Sequence, residues 1–211
     1  MTTILLLEGI DGSGKSTVID ILKHLAQQDG YANVSIVRDP GSAEFSEKIR
    51  TICADKDISA EPLSLTLAFM AARTELAKYM NESTADLILL DRYWPSTIAY
   101  QCFGSGVSRS IVLQHVGLLD ELYRNARVPR RHRFCLTIDP ELAHERRMAD
   151  KGRAGERFKA ADMAFKLRVA DGYSFLCDQG DLQEIPVHAD MTPDAVARKV
   201  WNQSGLGKGG A

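Results

Sequence analysis

Residues 9–16 read Gly9-Ile10-Asp11-Gly12-Ser13-Gly14-Lys15-Ser16 and satisfy G-x-x-x-x-G-K-[ST] at every position. The apolar stretch Ile4–Leu7 precedes the motif, and Val18, Ile19, Ile21, Leu22 and Leu25 recur after it at helical spacing. A buried strand, a glycine loop and a helix in that order constrain the fold more than any other segment of the chain. They call for a parallel sheet with the loop at a strand's carboxyl end. Glycines allow successive backbone N–H groups to turn inward around phosphate oxygens, and the helix N-terminus adds partial positive charge. Lys15 is then expected on the β- and γ-phosphates and the Ser16 hydroxyl on Mg²⁺. Gly9, Ile10, Asp11, Gly12, Ser13, Gly14, Lys15, Ser16 and Thr17 are the expected triphosphate-binding residues. The motif implies nucleotide binding and leaves the reaction open.

The rest of the chain alternates short apolar runs with helical periodicity, as a helix-covered parallel sheet requires. Strands are expected at Thr3–Leu7, Val34–Val37, Asp86–Leu90, Arg133–Ile138 and, more weakly, Leu182–Val187. Helices are expected at Lys15–Gln28, Ala43–Cys53, Leu63–Met80, Pro95–Cys102, Ser108–Asn125, Pro140–Ala149, from the polar loop Lys151–Glu156 to about Cys177, and at Pro193–Trp201. No linker divides the chain, so one domain is expected over residues 1–203. The glycine-rich segment 204–211 reads as a disordered tail.

Composition narrows the class. With 211 residues, 45% of them hydrophobic, the chain can bury a core without staples. A net charge of −2 gives no basic excess of the kind that wraps nucleic acid. The four cysteines, Cys53, Cys102, Cys135 and Cys177, have neither zinc-finger nor Cys-x-x-Cys spacing and read as reduced thiols. No basic leader or membrane-length apolar run is present, so a cytoplasmic protein is expected. A guanine-reading Asn-Lys-x-Asp motif is missing; Asp55-Lys56-Asp57 is a poor imitation, which disfavours a GTPase switch.

The third expected strand ends in Asp91-Arg92-Tyr93, at the sheet edge where open α/β folds bind ligands. Arg92 can fork onto a phosphate, and Asp91 can organise a metal's water shell or that arginine. From the tripeptide alone, a surface ion pair fits equally well. The longer run from Asp91 to Gln101, Asp-Arg-Tyr-Trp-Pro-Ser-Thr-Ile-Ala-Tyr-Gln, closely resembles the DR[YFH]-x-x-S-x-x-A-Y-Q signature of the thymidylate kinase family. Further segments resemble the family in consistent order: Glu8–Thr17, Arg38-Asp39-Pro40-Gly41 (with Asp for the family's Glu), Phe69-Met70-Ala71-Ala72-Arg73, and Arg153–Phe158 followed by Phe165, Arg168 and Tyr173. The likeness spans about residues 3 to 200.

The resemblance implies a P-loop NTPase fold, a five-stranded parallel sheet flanked by helices with a mobile lid at about 150–158. The implied reaction is ATP + dTMP → ADP + dTDP with Mg²⁺, in a homodimer. By family position, Phe69 stacks on the pyrimidine and Arg73 donates to a base carbonyl; an arginine cannot accept, so it disfavours cytosine. Read alone, Phe69 would be a core aromatic. Thr97, Tyr100 and Gln101 line base and sugar, with Tyr100 excluding a ribose 2′-OH. Asp11 lies near the sugar 3′-OH and metal, Arg92 grips the acceptor phosphate, and Asp39 lies near that phosphate and Mg²⁺. Ser16 and Asp91 are the metal-site residues. The P-loop's variable positions carry no basic residue, so the transition-state arginine is expected from the lid, from Arg153 or Arg157. The catalytic set is thus Lys15, Asp11, Arg92, Arg153 and Arg157. Kinases of dUMP or a 5-modified dUMP, a thymidine kinase and a non-catalytic nucleotide sensor are the alternatives. The run Arg124, Arg127, Arg130, Arg131, Arg133 reads as a solvated basic turn.

Overall fold

The computed structural model describes residues 2–149 and 162–207. Five strands, β1 (Thr3–Glu8), β2 (Val34–Arg38), β3 (Leu87–Asp91), β4 (Arg133–Thr137) and β5 (Gln183–Pro186), form one sheet in the order β2-β3-β1-β4-β5. All four pairings are parallel. The fold is the expected P-loop α/β architecture.

Strand periodicity divides the core. Leu5 and Leu7 of β1, with Leu87 and Leu89 of β3, face one hydrophobic cluster; Ile4 and Leu6, with Ile88 and Leu90, face the other. The first cluster is completed by Val18, Ile19 and Leu22 of α1 (Lys15–Gln28) and Val200 and Trp201 of the C-terminal helix (Pro193–Ser204). The second takes Leu76 and Met80 of α3 (Pro62–Asn81) and Val169, Tyr173 and Leu176 of the helix Met163–Asp178. A strand buried on both faces has no polar side, which is why β1 and β3 read as unbroken apolar runs.

The remaining helices are α2 (Glu44–Ala54), the single turn α4 (Trp94–Thr97), α5 (Arg109–Leu122) and α6 (Pro140–Ala149). In chain order Met163–Asp178 is then α7 and Pro193–Ser204 is α8. Asp162 caps α7 by accepting from Phe165 N–H at 2.7 Å, and Thr192 caps α8 by accepting from Ala195 N–H at 3.2 Å.

Two expectations need correction. The segment expected as one α-helix over Pro95–Cys102 is a single α-turn followed by a π-helical stretch, Ile98–Gly104. One extra residue per turn leaves no periodicity signal in so short a segment. Ser204, read as the first residue of a tail, is the last residue of α8, and Gly205 caps the helix in the left-handed conformation at φ 66°. Tyr31 Oη donates to the Leu206 carbonyl at 3.3 Å, and Leu206 packs on the core. The expected lid, with Arg153 and Arg157, and residues 208–211 lie outside the described residues.

The loop after β1 packs tightly against α6 at Gly12. Gly12 has φ 90°, and a Cβ there would lie 2.1 Å from the Ala143 carbonyl oxygen in α6. A backbone atom cannot step aside as a flexible side chain would. Gly12→Ala should therefore cost about 2 kcal/mol or more, from left-handed strain plus displacement of α6. Urea unfolding of the two proteins measures it.

Candidate active site

The carboxyl ends of β1, β2 and β3 converge on a cleft of about 500 Å³. Strand register explains the convergence: Asp91, the last residue of β3, pairs with Leu7 of β1 on one side and Arg38 of β2 on the other. Asp11, Gly12, Gly14, Lys15, Ser16 and Thr17 line one side of the cleft; Asp39, Phe69, Arg73, Asp91, Arg92, Thr97, Tyr100 and Gln101 line the rest. Gly9, Ile10 and Ser13 form the back of the loop, with Ile10 and Ser13 buried. Every described residue named in the sequence for the catalytic, nucleotide, substrate or metal site is thus in the loop or on the cleft.

Lys15 is 7% exposed and curls along its own loop, donating to the carbonyls of Gly9 and Ile10, both at 2.9 Å. Burial, with Arg92 adding, lowers its pKa to about 8 against the pull of Asp91, Asp11 and Glu8.

Arg92 occupies the left-handed region at φ 70°, unusual for a non-glycine residue. Its N–H donates to the Leu7 carbonyl at 3.1 Å, so the distortion is held by the end of β1. The guanidinium is shared by four acceptors. Nη2 donates to Asp11 Oδ1 at 2.6 Å and Tyr100 Oη at 3.3 Å; Nη1 donates to Tyr173 Oη at 2.8 Å and Ser96 Oγ at 3.1 Å. Its Cζ lies 5.2 Å from the Tyr100 ring centroid. Burial would raise the Asp11 carboxyl, but Arg92, Lys15 and Arg147 outweigh it and hold the pKa at about 2. Asp11 therefore bears charge throughout the neutral range and ties the phosphate loop to the end of β3.

A second ion pair lies deeper. Arg73 on α3 is 1% exposed, and its Nε donates to Asp39 Oδ2 at 2.6 Å; Asp39 is 2% exposed. Arg73 Nη2 donates to Thr97 Oγ1 at 2.9 Å and to the Tyr93 carbonyl at 3.4 Å. Nη1, although buried, has no acceptor among the described residues. Burial pushes the Asp39 carboxyl up, with Arg73 opposing. The aspartate, one methylene shorter than the glutamate it resembles, is committed to this arginine.

Sequence reading missed several contributors. Arg50 of α2 and Arg146 and Arg147 of α6 line the cleft. Their only sequence signal was a position late in a helix, facing a loop whose location had not been fixed. Glu8 was quoted as part of the phosphate loop without a role. It is fully buried and accepts from Tyr93 N–H at 2.7 Å, Ser96 Oγ at 2.7 Å and Tyr173 Oη at 2.9 Å. Burial raises its pKa, and Arg92 with these donors opposes the rise. The basic run near Arg124 faces away from the cleft: Arg127 pairs with Asp120 at 3.3 Å and Arg130 with Asp181 at 2.9 Å, both arginines largely exposed. Among the described residues no helix is long and apolar enough to cross a membrane.

A P-loop beside an arginine-lined cleft at the carboxyl ends of a parallel sheet fits a P-loop kinase of the nucleoside-monophosphate class. The family model described as thymidylate kinase matches residues 7–196, and the chain belongs to the thymidylate kinase family. A thymidylate kinase of Prosthecochloris aestuarii is 31% identical over 205 residues, covering 92% of this chain and 88% of the relative. One from Buchnera aphidicola is 37% identical over 147 residues, 67% of each chain. The solved thymidylate kinase of Ehrlichia chaffeensis shares the fold, with a TM-score of 0.70 at 24% identity over 95% of this chain and 97% of that one.

Proposed function

We propose the following division of labour for the family's reaction, ATP-dependent phosphorylation of dTMP to dTDP. The triphosphate lies in the loop Gly9–Thr17, held by backbone N–H groups, the amino end of α1 and Lys15. Lys15 then exchanges its hydrogen bonds to the loop carbonyls for phosphate oxygens. Arg92 grips the dTMP phosphate, one oxygen of which attacks the γ-phosphorus directly as ADP leaves. Asp11 keeps Arg92 beside the loop, so both phosphates are addressed from one point. Catalysis is positioning and charge neutralisation, with no covalent enzyme intermediate.

The base is assigned to Phe69, Arg73 and Gln101. The support is chemical: Arg73 Nη1 is a buried donor on the cleft wall without an acceptor among the described residues, suited to a base carbonyl. Tyr100, beside Asp11 and Arg92, takes the sugar side. Mg²⁺ fits the site, since Asp39 Oδ1 and Asp91 Oδ1 are buried carboxylate oxygens without hydrogen-bond partners among the described residues, on the cleft that Ser16 also lines. Ser16 and Asp91 would hold it, where it would neutralise charge on the β- and γ-phosphates. Asp39 serves first as the anchor of Arg73. Arg153 or Arg157 supplies the transition-state arginine. Leu63 and Leu67 of α3, with Leu113, Leu118 and Leu122 of α5, are 42–58% exposed and support a homodimer whose partner covers them.

The observation that carries this reading is the Asp11–Arg92 contact at 2.6 Å, which joins the donor-phosphate loop to the acceptor cleft. The experiment is an ADP-release assay with ATP, Mg²⁺ and dTMP, dUMP, UMP, dCMP or thymidine. The highest kcat/KM is expected for dTMP, with UMP and dCMP each lower by about tenfold or more. Preference for dUMP or dCMP would overturn the base assignment, and turnover of thymidine alone would overturn the role of Arg92.

A further inference from the structure

Arg92 is surrounded by hydroxyl groups that could point either a hydrogen or a lone pair toward it. Ser96 Oγ and Tyr173 Oη both accept from Arg92 Nη1, at 3.1 and 2.8 Å, and lie 2.9 Å from each other. Each hydroxyl also donates to a single atom, Glu8 Oε2, at 2.7 and 2.9 Å. A carboxylate can only accept. With Glu8 ionised, both hydroxyl hydrogens turn inward and lone pairs are left facing the guanidinium. The other carboxylate oxygen, Glu8 Oε1, accepts from Tyr93 N–H at 2.7 Å, fixing the residue after the left-handed turn at Arg92. Glu8 thus holds the arginine's backbone through one oxygen and its side chain through the other, from a strand position that is 0% exposed. It is out of reach of solvent and lies behind the cleft wall.

We propose that Glu8 is the positioning residue for Arg92, acting through Ser96 and Tyr173 to aim the guanidinium at the acceptor phosphate. Because Tyr173 belongs to α7, this relay also ties that helix to the acceptor site. The proposal rests on the reading of Arg92 as the acceptor-phosphate ligand.

Glu8→Gln tests it. The side-chain amide keeps the volume but puts a donor where one oxygen stood. An amide nitrogen at the Oε2 position would donate to the hydroxyls and free their hydrogens to point at Arg92. Expected is a loss of about 10–100-fold in kcat/KM for dTMP, carried mainly by KM for dTMP, with KM for ATP nearly unchanged. In an Arg92→Ala background, adding Glu8→Gln should change kcat/KM by no more than about twofold, since the group it aims has gone. Tyr173→Phe, which leaves the carboxylate in place, should show the same pattern more weakly and serves if the Gln variant folds poorly. If the losses from Glu8→Gln, or from Tyr173→Phe in its stead, multiply in full with that from Arg92→Ala, or fall equally on both substrates, the residue is only structural and the proposal is overturned. If Arg92→Ala alone leaves dTMP kinetics unchanged, the reading of Arg92 fails instead, and the two failures are distinct.

Discussion

An Arg92→Ala enzyme should phosphorylate dTMP about a thousandfold less efficiently than the parent, with ATP affinity changed little. On the role proposed for Arg92, the magnitude follows from losing a cation that would neutralise charge growing on the transferred phosphoryl group, in a site where water does little screening. The direction between the two substrates follows from geometry. Arg92 hangs from the end of β3, while the triphosphate-binding groups follow β1. Asp11 would lose its 2.6 Å partner, and its pKa, held at about 2 by Arg92 with Lys15 and Arg147, would rise. The backbone adds no cost of its own, because arginine already bears the left-handed φ of 70° and alanine meets the same strain. Steady-state kinetics with each substrate varied in turn provides the measurement. A loss below about tenfold in kcat/KM would remove Arg92 from the transition state.

Arg73→Met should act on stability as strongly as on recognition. Asp39 would keep a buried carboxylate whose Oδ1 already lacks a partner among the described residues and whose Oδ2 would lose its 2.6 Å ion pair. Removing one member of a buried pair costs about 3–5 kcal/mol, or roughly 10 °C in Tm for a domain of this size. The double variant Arg73→Met/Asp39→Asn should recover much of that stability, since the stranded charge is gone. It should recover little dTMP turnover, because the donor toward the base is still missing. Thermal unfolding and kinetics on the three proteins check this. Equal Tm values for the single and double variants would mean that Asp39 is not the source of the loss.

The two predictions differ in how far the sequence anticipated their residues. Arg92 and Asp91 were half legible: they end an apolar run at a strand's carboxyl end, where a surface ion pair fits equally well, and the run on to Gln101 decided between the two. The phosphate loop was legible locally, with strand, glycines and helix all contiguous. Phe69 and Arg73 were not legible from the local pattern; on a helix carrying Leu63, Leu65 and Leu67 they look like core, and only the family likeness singled them out. Their pairing with Asp39, 34 positions away, is a tertiary fact. Glu8 could have been found: a carboxylate at the end of four apolar residues on a strand buried on both faces must have partners. Gly205 misled because glycine both terminates helices and populates tails, and only packing distinguishes the two. The π-helical turn at Ile98–Gly104 left no trace in the hydrophobic pattern.

The contact between α7 and that turn has a thermodynamic consequence. At Gly172 a Cβ would lie 2.8 Å from the Ala99 Cα, and at Gly104 one would lie 2.7 Å from the Phe165 ring. Two glycines facing opposite ways let the segments interlock at backbone distance. Tyr100 and Gln101 are therefore carried on a wall already frozen when the chain folds. On the assignment proposed for Tyr100 and Gln101, a sugar or base would meet a surface with little freedom left to surrender, and calorimetry should register little ordering entropy from this side of the cleft. Affinity gained on such a wall is insensitive to loop composition elsewhere, and a side chain at position 172 would soften it without touching the substrate.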